Sequence, residues 1–147
     1  MNSKIVFHDL KIEIADKTGF IVYYYGELMY IIYDAPYCWF YFADKTKYKI
    51  ETTVQYLFDN LPEVFFRCNR SSIINISYYK KFLINMNKLV MDDGKIFTLS
   101  RNNAIKFNTK RISLPRITPP CLNCYSCKIE CESMLAFCLK KKRNIKL

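Results

Sequence analysis

The residues best placed to do chemistry are arginines in two short polar stretches. The first reads Phe65-Phe66-Arg67-Cys68-Asn69-Arg70-Ser71-Ser72-Ile73-Ile74-Asn75-Ile76, two aromatics and an arginine-bearing segment leading into an apolar β-branched strand. The second reads Gly94-Lys95-Ile96-Phe97-Thr98-Leu99-Ser100-Arg101-Asn102. A guanidinium at a strand end or loop can clamp a phosphate, or grip O6 and N7 of guanine with its two-pronged head. A different chemistry is possible near the C-terminus, where Cys121-x2-Cys124-x2-Cys127-x3-Cys131 is followed by Cys138. Four of these five thiolates could hold zinc in a closed tetrahedral site. The spacing is also that of bacterial-type ferredoxins, with Cys138 as a remote ligand of one iron–sulfur cluster. No proline follows Cys131 and no second motif supplies a partner cluster, so zinc, iron–sulfur and a reduced tail that binds nothing all remain open.

Charge is unevenly spread along the 147 residues and their net +10. Residues 1–63 carry six lysines against nine carboxylates, a balance of −3. Residues 64–111 carry ten basic groups against Asp92 and Asp93, a balance of +8, and residues 112–147 add +5. A basic block confined to part of a folded chain is the footprint of a polyanion site, the alternative being a solvated lysine-rich face. Lys4, His8, Asp9 and Lys11 interrupt any secretory signal, and Glu27, Asp34 and Pro36 interrupt the apolar run Phe20–Phe42, so neither export nor a membrane span is expected. In the cytoplasmic setting this implies, seven cysteines point to metal or redox use rather than a disulfide scaffold.

The elements that must carry the arginines are mostly strands. Ile5–Ile14 reads as one or two strands, Asp16–Gly19 as a turn, and Phe20–Tyr25 and Leu28–Tyr33 as strands broken by Gly26-Glu27. Asp34-Ala35-Pro36 is a loop. Trp39–Ala43 and Tyr48–Glu51 flank a hairpin turn. Thr52 and Gln55 have capping-box spacing, and Val54, Leu57, Phe58 and Leu61 mark one buried face of a core helix over 53–61 that Pro62 stops. Tyr78–Ile84, Lys88–Met91 and Ile96–Leu99 are further strands, the last two joined by an Asp-Gly turn. Ser100 caps a short helix over Arg101–Thr109. Pro115, Pro119 and Pro120 mark a linker, so the expected division is a domain over 1–112 and a cysteine-rich basic tail over 113–147. The fold class is mainly β with a minor α+β component: antiparallel strands in small packed sheets, one core helix and a short C-terminal helix.

The order F-x-R-x-x-R-S-x-I-x-N followed by G-x-x-x-x-x-S-R resembles the LytTR family of bacterial DNA-binding domains, over roughly residues 5 to 111. The resemblance implies that loop residues from three chain regions enter successive major grooves of double-stranded DNA, with two copies of the chain on repeated half-sites. Arg70 and Arg101 match the two arginine motifs, and Asn69, Ser71 and Asn102 adjoin them. The third region is the loop at Tyr37-Cys38-Trp39, where the family often has histidine and this chain has Cys38; Tyr37 or Lys45 could contribute instead. Arg67 is either a contact or a brace paired with Glu51 or Asp59. Lys80, Lys81, Lys106, Lys110 and Arg111 are phosphate neighbours or solvated charges. Asn75 is expected to form a turn. Cys68 lies between two arginines, either an exposed thiolate or a buried core residue.

Enzyme chemistry finds no support, since His8 is the single histidine and no Gly-rich phosphate loop, paired-carboxylate motif or nucleophile elbow is present. Three functions are thus carried forward: a stand-alone DNA-binding transcription regulator with no receiver domain before residue 5, a small metal or redox carrier working through the tail, and a single-strand binder using aromatic strands. Metal analysis and visible absorption of anaerobically purified protein distinguish zinc, an iron–sulfur cluster and a tail that binds nothing. A brown iron–sulfur spectrum combined with no salt-dependent DNA binding would favour the carrier.

Overall fold

Neighbouring residues in a strand point to opposite faces of the sheet. Paired apolar residues such as Phe65-Phe66 and Ile73-Ile74 therefore demand a sheet covered on both sides. That is the arrangement in the computed structural model, which describes residues 4–113. In chain order the elements are β1 (Lys4–Phe7), β2 (Lys11–Asp16), β3 (Gly19–Tyr24), β4 (Leu28–Asp34), β5 (Tyr37–Phe42), β6 (Lys47–Glu51), α1 (Val54–Asn60), β7 (Phe65–Asn69), β8 (Ser72–Asn75), β9 (Tyr79–Leu83), β10 (Lys88–Met91), β11 (Ile96–Thr98) and α2 (Arg101–Ser113). The central sheet has five strands in the order β6-β5-β4-β8-β7, and two three-stranded sheets, β1-β2-β3 and β11-β10-β9, complete the fold. Every strand pair is antiparallel.

Each face of the central sheet builds its own core. Ile31, Phe40, Phe65 and Ile73 join Ile12, Ile14, Tyr23 and Tyr25 of the first sheet and Leu57 of α1. Tyr30, Phe66, Cys68 and Ile74 join Leu89, Met91 and Phe97 of the last sheet and Phe107 of α2. Phe107 is the hub of the second core, its ring edge-on to Phe66 at 5.5 Å and to Tyr79 at 5.2 Å. Burying one such ring contributes about 1.5–3 kcal/mol, which keeps α2 on the sheet.

The mainly β class and the antiparallel small sheets are as the sequence predicts, and Ile5–Ile14 resolves into two strands. β5 begins at Tyr37, earlier than expected, and α2 continues past Thr109 to Ser113. The capping box at Thr52 does not form. Thr53 caps α1, accepting from the Tyr56 amide at 3.1 Å, and Gln55 turns outward to other partners. Asn75 has the turn-forming role expected of it. Its buried side chain accepts from the Ser77 amide at 2.9 Å and donates to the Leu28 carbonyl at 3.1 Å. Among the described residues no helix is long and apolar enough to cross a membrane, and no three His, Cys, Asp or Glu are grouped to hold a metal. Cys121, Cys124, Cys127, Cys131 and Cys138 lie outside the described residues.

Three buried phenols tie loops to the cores. Tyr25 donates to the His8 carbonyl at 2.7 Å, Tyr23 to Asp44 at 2.9 Å and Tyr30 to Asp93 at 2.6 Å. Burial raises all three above the ordinary phenol value, and the Asp93 carboxylate adds to it at Tyr30. A folded-state value above the unfolded one means that their stabilisation is complete below pH of about 10 and is lost as pH rises past it. Alkaline titration followed by tyrosinate absorbance should show at least three of the twelve tyrosines ionising only as the fold melts. Smooth ionisation of all twelve with circular dichroism unchanged would contradict this.

Candidate nucleic-acid interface

The hairpin of β7 and β8 pairs Asn69 with Ser72 and leaves only Arg70 and Ser71 in its turn. Two-residue hairpin turns usually rely on positive φ, but neither residue has it. A register shift between Arg67 and Asn69 absorbs the mismatch, and side chains hold the turn. The Asn69 carboxamide oxygen accepts from the Ser71 amide at 2.9 Å and its hydroxyl at 3.1 Å. Arg67 wraps the turn, donating from Nε to the Asn69 carbonyl at 3.3 Å and from Nη2 to the Arg70 carbonyl at 3.2 Å. Its Nη1 donates to Gln55 Oε1 at 2.6 Å, and Gln55 in turn donates to Asp59 at 2.8 Å. Arg67 is thus a brace, but an amide stands where a pairing with Glu51 or Asp59 is expected. With every guanidinium nitrogen engaged, it shapes the turn that presents Arg70.

Ser100 caps α2 by accepting from the Asn103 amide at 3.1 Å, which puts Arg101 at the first helical position. Two bonds join this helix start to the hairpin tip. The Asn69 side-chain Nδ2 donates to the Thr98 carbonyl at 3.0 Å, and the Asn103 side-chain Nδ2 to the Cys68 carbonyl at 2.7 Å. Arg70 and Arg101 therefore emerge, both exposed, from backbone segments that touch. Neither guanidinium has a hydrogen bond or ion pair among the described residues, and the exposed side chain of Asn102 is equally unengaged.

The third region reaches the same end of the molecule. Ile32 of β4 pairs with Ser72, and the Tyr33 amide donates to the Ser71 carbonyl at 2.8 Å. The β4–β5 hairpin, turning at Ala35-Pro36 and returning at Tyr37, thus lies beside the Arg70 turn. Tyr37 is half-buried, with the Lys49 ammonium 4.6 Å from its ring centroid. Cys38 does not reach the surface. Strand alternation turns it into the first core, its thiol donates to the Thr52 carbonyl at 3.5 Å, and burial pushes its pKa up to about 11. Cys68 is buried as well, its pKa raised by burial, so it is a core residue rather than an exposed thiolate. Lys45 occupies the β5–β6 turn at the other end of β5, about 20 Å away at ~3.3 Å per strand residue, and does not join the group.

The lysines separate into free and committed groups. Lys80 and Lys81 are exposed on β9, and with Arg101 and Arg111 they line a groove of about 520 Å³ between β9 and α2. Among the described residues no carboxylate lines that groove, though Asp92 lies close enough to Lys80 to feel its charge. Lys110 is committed to the fold instead. It pairs with Glu63 at 3.3 Å and donates to the Phe65 carbonyl at 3.1 Å, and burial lowers its pKa. The sequence points to Gln55 only as a capping-box partner and gives Asn103 no role, yet their side-chain amides do the positioning. The only sign of Asn103 is an amide residue in the first turn after Ser100-Arg101.

The family profile of the LytTr DNA-binding domain matches residues 19–111, from the start of β3 almost to the end of α2. Among solved structures, the LytTr DNA-binding domain of a Bacillus cereus response regulator superposes with a TM-score of 0.60 at 21% identity, over 69% of this chain and 96% of that one. At that identity the likeness speaks for the fold. No curated protein matches significantly. With the profile spanning most of the chain and the fold agreeing, this chain belongs to the LytTR family of DNA-binding domains.

Proposed function

We propose that the chain is a sequence-specific, double-stranded DNA-binding transcriptional regulator whose readers are Arg70 and Arg101. The observation that carries this reading is the pair of unengaged guanidiniums projecting from hydrogen-bonded, adjoining segments in the stretch 64–111, whose balance is +8. A charge left unpaired costs less where water or a phosphate can reach it, and a bidentate arginine contributes about 1–3 kcal/mol of base discrimination. Tyr37 and Asn102 flank the two arginines, and Lys80 and Lys81 serve phosphates. Asn69, Ser71 and Arg67 act mainly by shaping the turn. Two copies on repeated half-sites would double these contacts. The cysteine-rich tail is the candidate input, through zinc or an iron–sulfur cluster.

Selection of bound duplexes from a random pool would supply the site. On it, Arg70→Ala and Arg101→Ala should each weaken binding by about 1–3 kcal/mol and flatten the salt dependence, with thermal melting unchanged because neither side chain holds the fold. Wild-type affinity in both variants by gel shift rejects the assignment, and preference for single strands in competition favours stacking on aromatics. Asn103→Ala and Arg67→Ala should behave differently. The first leaves the Cys68 carbonyl without this donor and the second those of Asn69 and Arg70, so a loss of about 1 kcal/mol in stability should accompany the loss of affinity. Weakened binding without any change in melting would make these residues contacts rather than supports.

A further inference from the structure

The groove between β9 and α2 has an apolar side that the proposed function leaves unused. Phe82, Ile84 and Ile105 line it, and Ile84 and Ile105 are 76% and 62% exposed. Exposed aliphatic surface beside four cations, with no carboxylate among the described lining residues, fits a segment that is both apolar and acidic. The chain contains one such segment close by. Helix α2 ends at Ser113, two residues beyond the groove-lining Arg111, and 34 residues follow. Within them, residues 129–139 (Ile-Glu-Cys-Glu-Ser-Met-Leu-Ala-Phe-Cys-Leu) contain no lysine or arginine. They hold Glu130 and Glu132, the only carboxylate side chains after Asp93, while Lys128 and Lys140 lie just outside on either side.

We propose that residues 129–139 fold back into this groove, setting Glu130 and Glu132 against its cations and their apolar side chains over Ile84 and Ile105. The intervening residues 114–128 can span about 50 Å when extended, against a length of about 20 Å for α2, so any part of the groove is within reach. A tether of this length holds the segment at an effective concentration in the millimolar range, so weak contacts suffice. A foreign acidic peptide has no such advantage. Because Arg101 belongs to the groove, a seated tail covers one of the two proposed DNA readers, and seating and duplex binding oppose each other. That last consequence alone rests on the DNA reading.

The test is zero-length carbodiimide coupling of the dilute full-length chain, with the joined peptides identified by mass spectrometry. Amides between Glu130 or Glu132 and Lys80 or Lys81 are expected within single chains, at a yield independent of protein concentration. In the variants Ile84→Ser and Ile105→Ser, at exposed positions that the fold tolerates, the yield should drop severalfold. Absence of these amides overturns the proposal, as does coupling spread equally over distant lysines such as Lys4 and Lys45. Coupling only between two chains also overturns it, in favour of a second copy's tail. These readouts use no DNA, so their failure leaves the DNA reading intact. Excess duplex should suppress the intramolecular amides, and a yield insensitive to duplex that the same chain binds overturns the overlap at Arg101.

Discussion

The side-chain amide of Asn69 is the joint on which the candidate interface depends. Its oxygen closes the Arg70-Ser71 turn and its nitrogen reaches across to the Thr98 carbonyl, just ahead of the segment that presents Arg101. One residue thereby fixes the shape of one loop and its distance from another. Asn103 supplies the reciprocal tie from α2 back to the Cys68 carbonyl. A net hydrogen bond contributes about 1 kcal/mol, less than the burial of a ring such as Phe107. Packing therefore holds the helix on the sheet, while the amides decide where along the sheet its first turn stops.

A sheet covered on both faces leaves little room for polar function. The strands alternate between two apolar cores, as Tyr30 and Ile31, Phe65 and Phe66, and Ile73 and Ile74 show. Antiparallel sheets more often keep one wetted face. Here the polar groups must emerge at turns and strand ends, and three such places crowd one end of the central sheet: the Arg70 turn, the Tyr37 hairpin and the start of α2. The same constraint buries Cys38 and Cys68, whose thiols burial keeps protonated at neutral pH.

Not every cation in the basic stretch 64–111 is available to a ligand. Lys110 is drawn inward by Glu63 and a backbone carbonyl, and Arg67 is used up on the turn it encloses. What remains is Arg70 and Arg101 with Lys80, Lys81, Lys88, Lys95, Lys106 and Arg111, none of which a carboxylate quenches by direct pairing among the described residues. Formal charge counts the field that draws a polyanion from a distance. Partner geometry decides which charges can touch it.

Much of this was legible in the residues. Strand alternation, the Asp-Gly turn, the helix that Pro62 ends and the Ser100 cap follow from local backbone preferences, which act over a few residues and need no tertiary partner. The two arginine motifs, by type and order, pointed to the family. Other features depended on what folding brought together. Thr53 rather than Thr52 caps α1, and Gln55 serves Arg67, twelve residues away, instead of the helix start. The burial of Cys38, the withdrawal of Lys110 and the joining of residue 69 to 98 and of 103 to 68 are long-range contacts that no short window encodes. Sequence alone determined the chemistry on offer and the elements that carry it. Which arginines stay free, and that they share one end of a sheet, only tertiary structure decided, because strand pairing and core packing set the distances between residues far apart in the chain.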